Sequence, residues 1–186
     1  MTPAMTTLPG RRVLVTGLPG SGKTSVAMTL AARQALQHIE VDRLYYGPGY
    51  STRASFVDDL QVAIAEDAWC LDDFGVPQSR DLVWAAADTL IWLDLPWGIA
   101  FARAVRRTWR RLRHQSEVLP GCYETWLGWG RPYHPVFLSL TTHRRMRRVM
   151  EQRLARPEYA HLIVVRLRSR REVEELLGPA PYSLAV

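Results

Sequence analysis

Lysine is nearly missing from this chain: of 24 basic residues in 186, only Lys23 is not an arginine. That excludes a GTPase that reads guanine through an Asn-Lys-x-Asp motif, since such a motif needs a second lysine. Cysteine is scarce as well. Cys70 and Cys122 lie far apart and form no CxxC, which argues against a zinc site or a disulfide framework and for a reducing cytoplasm. No apolar run approaches the roughly 18 residues that a membrane span needs, so no membrane partner is expected. The opening MTPAMTTLPG lacks the basic start and apolar stretch of a secretion signal and reads as a short flexible tail.

Repeats, low-complexity linkers and domain boundaries are absent too, so a single domain over residues 1–186 is expected, as a monomer or homodimer. That length is enough to bury a core without staples. Charge is unevenly spread: residues 1–100 hold 7 Lys plus Arg against 11 Asp plus Glu, whereas residues 101–186 hold 17 against 7. The basic character therefore belongs to the second half.

What is present alternates strands and helices. RRVLVTG (11–17) is an apolar run ending at Gly17, as a buried strand would be. From Lys23 to about Leu36, Val26, Ala27, Leu30 and Ala31 share one helical face. HIEV (38–41) reads as a second strand ending at Asp42, and YYGPGYSTR as a loop marked by Gly and Pro. Ser55 with Asp58 has capping-box spacing for a helix to about Asp67. AWCL (68–71) reads as a third strand ending at Asp72, followed by a helix around 80–87. TLIWL (89–93) and LIVVRL (162–167) are the fourth and fifth strands. Ser169 with Glu172 caps a last helix that Gly178 stops. The fold class expected is α/β, a P-loop NTPase three-layer fold in which helices cover both faces of a five-stranded parallel sheet. Ligands of such sheets sit beyond the carboxyl ends of the strands.

Between strands four and five lies an insertion, residues 97–155. It opens with FARAVRRTWRRLRH (101–114), which puts six arginines into fourteen positions. It then passes through LPGCYETWLGWGRPYHP (119–135) and returns along HRRMRRVMEQRL. This is expected to be a helical, arginine-rich lid.

The strongest signal is GLPGSGKT (17–24), a full GxxxxGK[ST] match between an expected strand and an expected helix, the context the motif requires. Gly17, Gly20 and Gly22 allow the tight turn, and successive N–H groups from Gly17 through Ser21, Thr24 and Ser25 can face phosphate oxygens at a helix start. Lys23 would reach the β and γ phosphates of ATP, and Thr24 would offer its hydroxyl to Mg²⁺. The chain is short for a motor or transporter ATPase and has no LSGGQ-like signature. A small kinase is the natural reading.

Five segments in order, VLVTGLPGSGKTSVA, HIEVDRLYYGPGY, AWCLDDF, ADTLIWLDLP with RAVRRTWRR, and VVRLRSRREVEELL, resemble the adenylate-kinase-like P-loop proteins of the topology modulation group, relatives of small nucleoside and nucleotide kinases. The resemblance spans nearly the whole chain and implies a five-stranded parallel sheet with a mobile lid between strands four and five. One segment departs from that group, whose third strand runs into Asp-Gly-Asn-Tyr; here Asp72 is followed by DFG. The same three letters occur in protein kinases, but no catalytic-loop motif precedes them and the phosphate loop is of another type.

Phosphoryl transfer needs positioning, charge neutralisation and often a base. Asp42 is the candidate to orient or deprotonate the acceptor hydroxyl, the alternative being a turn cap. Asp72 is the candidate to hold Mg²⁺, with Asp73 able to share that role. Asp94 reads as a helix cap. Arg53 and Arg80 flank the acceptor side, as phosphate grips or as solvated surface. On the arginine helix, Trp97, Phe101, Val105, Trp109 and Leu112 fall within an arc of about 120° and form the expected packing face. The arginines opposite have four readings: solvated face, nucleic-acid surface, membrane surface, or a lid closing over phosphates. Position beside the nucleotide site favours the lid, and the resemblance points to Arg103 and Arg107, then Arg110. Trp126, Trp129 and Tyr133 would line the acceptor site or form a small lid core.

The function expected is therefore transfer of the γ-phosphoryl group of ATP to a hydroxyl or phosphate of a small molecule, a nucleoside-like or nucleotide-like acceptor first. The alternative is a nucleic-acid-associated regulatory protein that binds ATP.

Overall fold

A computed structural model describes residues 8–73, 75–123 and 134–178. The aromatic segment with Trp126, Trp129 and Tyr133 lies outside the described residues.

Strand β1 (Arg12–Gly17) alternates Leu14 toward one face of a sheet with Val13 and Val15 toward the other, and all three are fully buried. Burial on both faces is why the run lacks the polar alternation of a surface strand. The five parallel strands β1, β2 (Gln37–Glu40), β3 (Trp69–Asp72), β4 (Thr89–Leu93) and β7 (Ile163–Leu167) lie in the order β2-β3-β1-β4-β7. Chain connections leave β1 and β3 in opposite directions, which makes the crevice between their carboxyl ends the switch point of the sheet. Register sets Asp72 beside Val15, and the Asp73 N–H donates to the Val15 carbonyl at 3.1 Å. Both aspartates thereby arrive abreast of the loop that follows β1.

Helices α1 (Lys23–Gln34) and α8 (Arg170–Leu177) cover one face; α3 (Phe56–Ile64) and α4 (Pro77–Ala86) cover the other. On the first face Val26, Leu30 and Val173 pack with Val13, Val15 and Ile91; on the second Phe56, Leu60 and Trp84 pack with Leu14, Leu71 and Leu90. Each such side chain taken out of water contributes roughly 1.5–3 kcal/mol. The α/β fold with its five-stranded parallel sheet is thus as the sequence implies.

Several local expectations shift. Val41–Tyr45 is a short helix, α2, so Asp42 stands in a first helical turn and not at the end of strand two, which stops at Glu40. The α4 helix begins at Pro77, three residues earlier than expected, because proline is suited to a first helical position. Ser55 and Asp58 form no capping box; the Ser55 hydroxyl donates to Asp59 at 2.8 Å. Ser169 does cap α8, accepting from the Glu172 N–H at 3.2 Å. The edge strand β7 is less covered than expected, with Ile163 and Val164 exposed.

Between β4 and β7 run α5 (Trp97–His114), a hairpin of β5 (Glu117–Leu119) and β6 (Cys122–Tyr123), α6 (Pro135–Thr141) and α7 (His143–Leu154). The packed face of α5 is Ala100, Ala104, Thr108 and Leu112, while Trp97 and Trp109 are about half exposed. This corrects the expected aromatic face. Small residues four apart win because α5 lies against backbone: a Cβ on Gly20 would collide with the Ala100 carbonyl oxygen and come within 3.1 Å of the Ala104 Cβ. No described helix is long and apolar enough to cross a membrane.

Candidate active site

The loop between β1 and α1 turns through Gly20 (φ 83°) and Gly22 (φ 97°), a left-handed region that strains any residue with a Cβ. Gly22 is also the N-cap of α1, so the helix start and its positive dipole end face the crevice. The Lys23 ammonium folds back over the loop, donating to the Gly17 carbonyl at 3.0 Å and the Leu18 carbonyl at 3.2 Å. Burial lowers its pKa, opposed by the charges of Asp42, Asp72 and Asp73 and assisted by that of Arg107. Ser21 is buried with an unpartnered hydroxyl, and Ser25 is exposed one residue after Thr24.

Among the described residues, the charges of Asp42, Asp72 and Asp73 act on Lys23. Asp72 is pushed up to about 7, chiefly by burial, against a hydrogen bond from the Thr24 hydroxyl that favours its ionised form. Its Oδ1 is buried and unpartnered, with the His38 Nε2, itself unpartnered, 3.9 Å away. Asp73 is otherwise engaged: its Oδ1 accepts the Gly75 N–H at 2.7 Å, and Arg80 braces the same turn by donating to the Gly75 carbonyl at 2.6 Å. Asp42 is half-buried with Oδ1 unpartnered; burial raises its pKa first, and the Lys23 charge pulls it back.

From α5, Arg103 reaches the loop, its Nη1 donating to the Ser21 carbonyl at 3.2 Å. Burial first, then the charges of Arg170 and Arg106, lowers its pKa. Arg107 is one turn on, and its charge acts on both Lys23 and Asp42. Arg110 is exposed and a further turn away. The structure thus brings together Gly17, Gly20, Ser21, Gly22, Lys23, Thr24, Asp42, Asp72, Arg103 and Arg107.

Other expected residues have different partners. Asp94 caps no helix; it is buried between two arginines, with Arg147 on Oδ1 at 2.9 Å and Arg166 on Oδ2 at 2.7 Å. Arg53 pairs with Asp59 at 3.0 Å. The sequence carries no sign of His38 near Asp72: the pairing of β2 with β3 sets His38 opposite Cys70 and Glu40 opposite Asp72, and only that pairing brings the imidazole within 3.9 Å of the carboxylate.

Fold and site together define an α/β protein with a P-loop-kinase-like fold. A stretch of 111 residues is 34% identical to a protein named cytidylate kinase from Halobacterium salinarum, a match that covers 51% of this chain and 57% of that protein. The chain therefore spans little more than half the length of the curated relative it matches. No protein-family profile matches the chain.

Proposed function

We infer that this protein is an ATP-dependent phosphotransferase that moves the γ-phosphoryl group of ATP to a hydroxyl or phosphate of a small nucleoside-like or nucleotide-like molecule. One observation carries the reading: Lys23 sits in a glycine loop at a helix start, with its ammonium folded over that loop and the charges of Asp42 and Asp72 acting on it. The relative named cytidylate kinase supports the same class of reaction and makes a cytidine nucleotide a first acceptor to try. The resemblance to the topology modulation group belongs to this reading as well.

The donors present fit Mg²⁺. No group of three or more His, Cys, Asp or Glu side chains is gathered among the described residues, but Mg²⁺ usually takes one or two protein oxygens and fills its octahedron with water and phosphate. Thr24 and the unpartnered Oδ1 of Asp72 are such oxygens. When bound, Mg²⁺ neutralises charge between the β and γ phosphates. The loop N–H groups would hold the phosphates and Lys23 would leave its carbonyl partners to meet them. Asp42 would accept the proton of an acceptor hydroxyl as its oxygen bonds to the γ-phosphorus and the bond to the bridging oxygen breaks. Arg103, Arg107 and then Arg110 would neutralise the transferring group, with residues 97–155 acting as a lid that excludes water.

The test is ADP formation from Mg²⁺-ATP with a panel of nucleosides, nucleotides and hydroxylated metabolites. One acceptor should stimulate turnover, and Lys23→Ala should abolish it. Full activity of Lys23→Ala with every acceptor would overturn the assignment. A second reading rests on Arg106, Arg113, Arg144, Arg145 and Arg148, all exposed on α5 and α7: a nucleic-acid-associated protein regulated by ATP. Binding through about six phosphate contacts would make log K fall by roughly 5 per log unit of salt.

A further inference from the structure

The hairpin β5–β6 does not end in solvent. Its tip meets the loop that follows α2, the short helix carrying Asp42. Among the described residues, hydrogen bonds cross this junction: the Gly49 N–H donates to the Gly121 carbonyl at 3.1 Å, the Tyr50 N–H to the Cys122 Sγ at 3.3 Å, and the Cys122 thiol to the Gly47 carbonyl at 3.3 Å. Cys122 is 1% exposed. Gly121 takes φ 72°, and a Cβ there would lie 3.1 Å from the Pro48 Cβ, so the two turns touch without room for a side chain.

Both partners are stiffened from within. The Gly121 N–H donates to Glu117 at 2.6 Å, closing the hairpin turn. Across the junction, the Gly47 N–H donates to the Ser51 carbonyl at 2.7 Å and the Ser51 hydroxyl to the Pro48 carbonyl at 2.9 Å. Tyr46 sets its ring edge-on against Tyr45 at 4.8 Å and Tyr50 at 5.5 Å, tying the loop back to α2. These bonds and ring contacts join the hairpin to α2 through the intervening loop. On its other side the hairpin continues directly from α5, whose Arg103 holds the glycine loop.

We propose that the β5–β6 hairpin is a latch: through Gly121 and Cys122 it couples the arginine helix α5 to the Asp42-bearing helix α2, so that both sides of the crevice close and open together and each opening uncovers the Cys122 thiol. The function ascribed to that opening, admission of an acceptor, rests on the phosphotransferase reading. The coupling itself does not.

Thiol labelling with 5,5′-dithiobis(2-nitrobenzoate) and amide hydrogen exchange test it without any need for catalysis. In the native chain Cys122 should react at least about 100-fold more slowly than in the urea-unfolded chain, while Cys70, buried in β3, stays unlabelled. Gly121→Ala should raise the Cys122 rate about 10-fold or more. Exchange should rise together at residues 47–53 and 41–45 in Gly121→Ala and in Cys122→Ala, the second variant leaving the turn backbone intact. Free reactivity of Cys122 in the native chain would overturn the proposal, as would exchange confined to the hairpin in both variants. A protected thiol in a protein that turns over no acceptor would fail the phosphotransferase assignment and leave the latch standing.

Discussion

Gly20→Ala is the sharpest test of how the glycine loop is seated. Two independent costs apply. At φ 83° an alanine is strained, by about 1–3 kcal/mol. Its Cβ would also meet the Ala100 carbonyl and the Ala104 methyl, and overpacking of that kind costs about 1–3 kcal/mol. Together they give roughly 2–6 kcal/mol, and at about 2–4 °C per kcal/mol for a chain of this size the melting temperature should fall on the order of 5–20 °C. Gly98→Ala, on α5 itself, is the control: a Cβ there meets nothing within 4 Å. It should raise stability by up to about 1 kcal/mol through helix propensity and a less free unfolded chain. Thermal unfolding followed by circular dichroism reads both. Equal melting temperatures for the two variants would refute the claim that α5 presses directly on the loop.

Asp72 carries a pH dependence of definite sign. Burial keeps its carboxyl protonated up to about 7 in the folded chain, against 3.8 for an unperturbed carboxyl. Between those values the unfolded state binds fewer protons, so this group's contribution to stability falls as pH rises from about 4 to about 7. Asp72→Asn, measured with chelator and no nucleotide, should be the more stable form above pH 7, by at most about 4 kcal/mol; an advantage that does not shrink toward pH 4 would contradict this. Asp94→Ala leaves Arg147 and Arg166 without their shared buried carboxylate, and urea denaturation should show a loss of about 2–4 kcal/mol. Arg107→Ala should lower kcat by on the order of 10³ with the best acceptor while the melting temperature holds; an unchanged kcat would remove Arg107 from the transfer step. Ser169→Ala should cost about 1 kcal/mol through the lost α8 cap, again read by urea denaturation.

The sequence by itself determined the sheet and the glycine loop. Burial on both faces requires unbroken apolar runs such as Val13–Val15 and Leu90–Leu93, and the turn before α1 requires glycine where φ is positive, so both leave marks in local order. It also put acidic residues at the ends of strands two and three, because those ends are where a parallel sheet presents its ligand site. What it could not determine was which of those carboxylates is free. Asp72 keeps an unpartnered oxygen, while Asp73 accepts from the Gly75 N–H in the turn by which the chain leaves β3. Likewise, the aromatic stripe of α5 looked like a packing face by period alone, yet the buried face is Ala100, Ala104 and Thr108. That choice depends on how closely a backbone can approach at Gly20. Asp94 between Arg147 and Arg166, and Cys122 against Gly47 and Tyr50, join residues more than fifty positions apart. Only the packing of the chain on itself brings such groups within hydrogen-bonding distance.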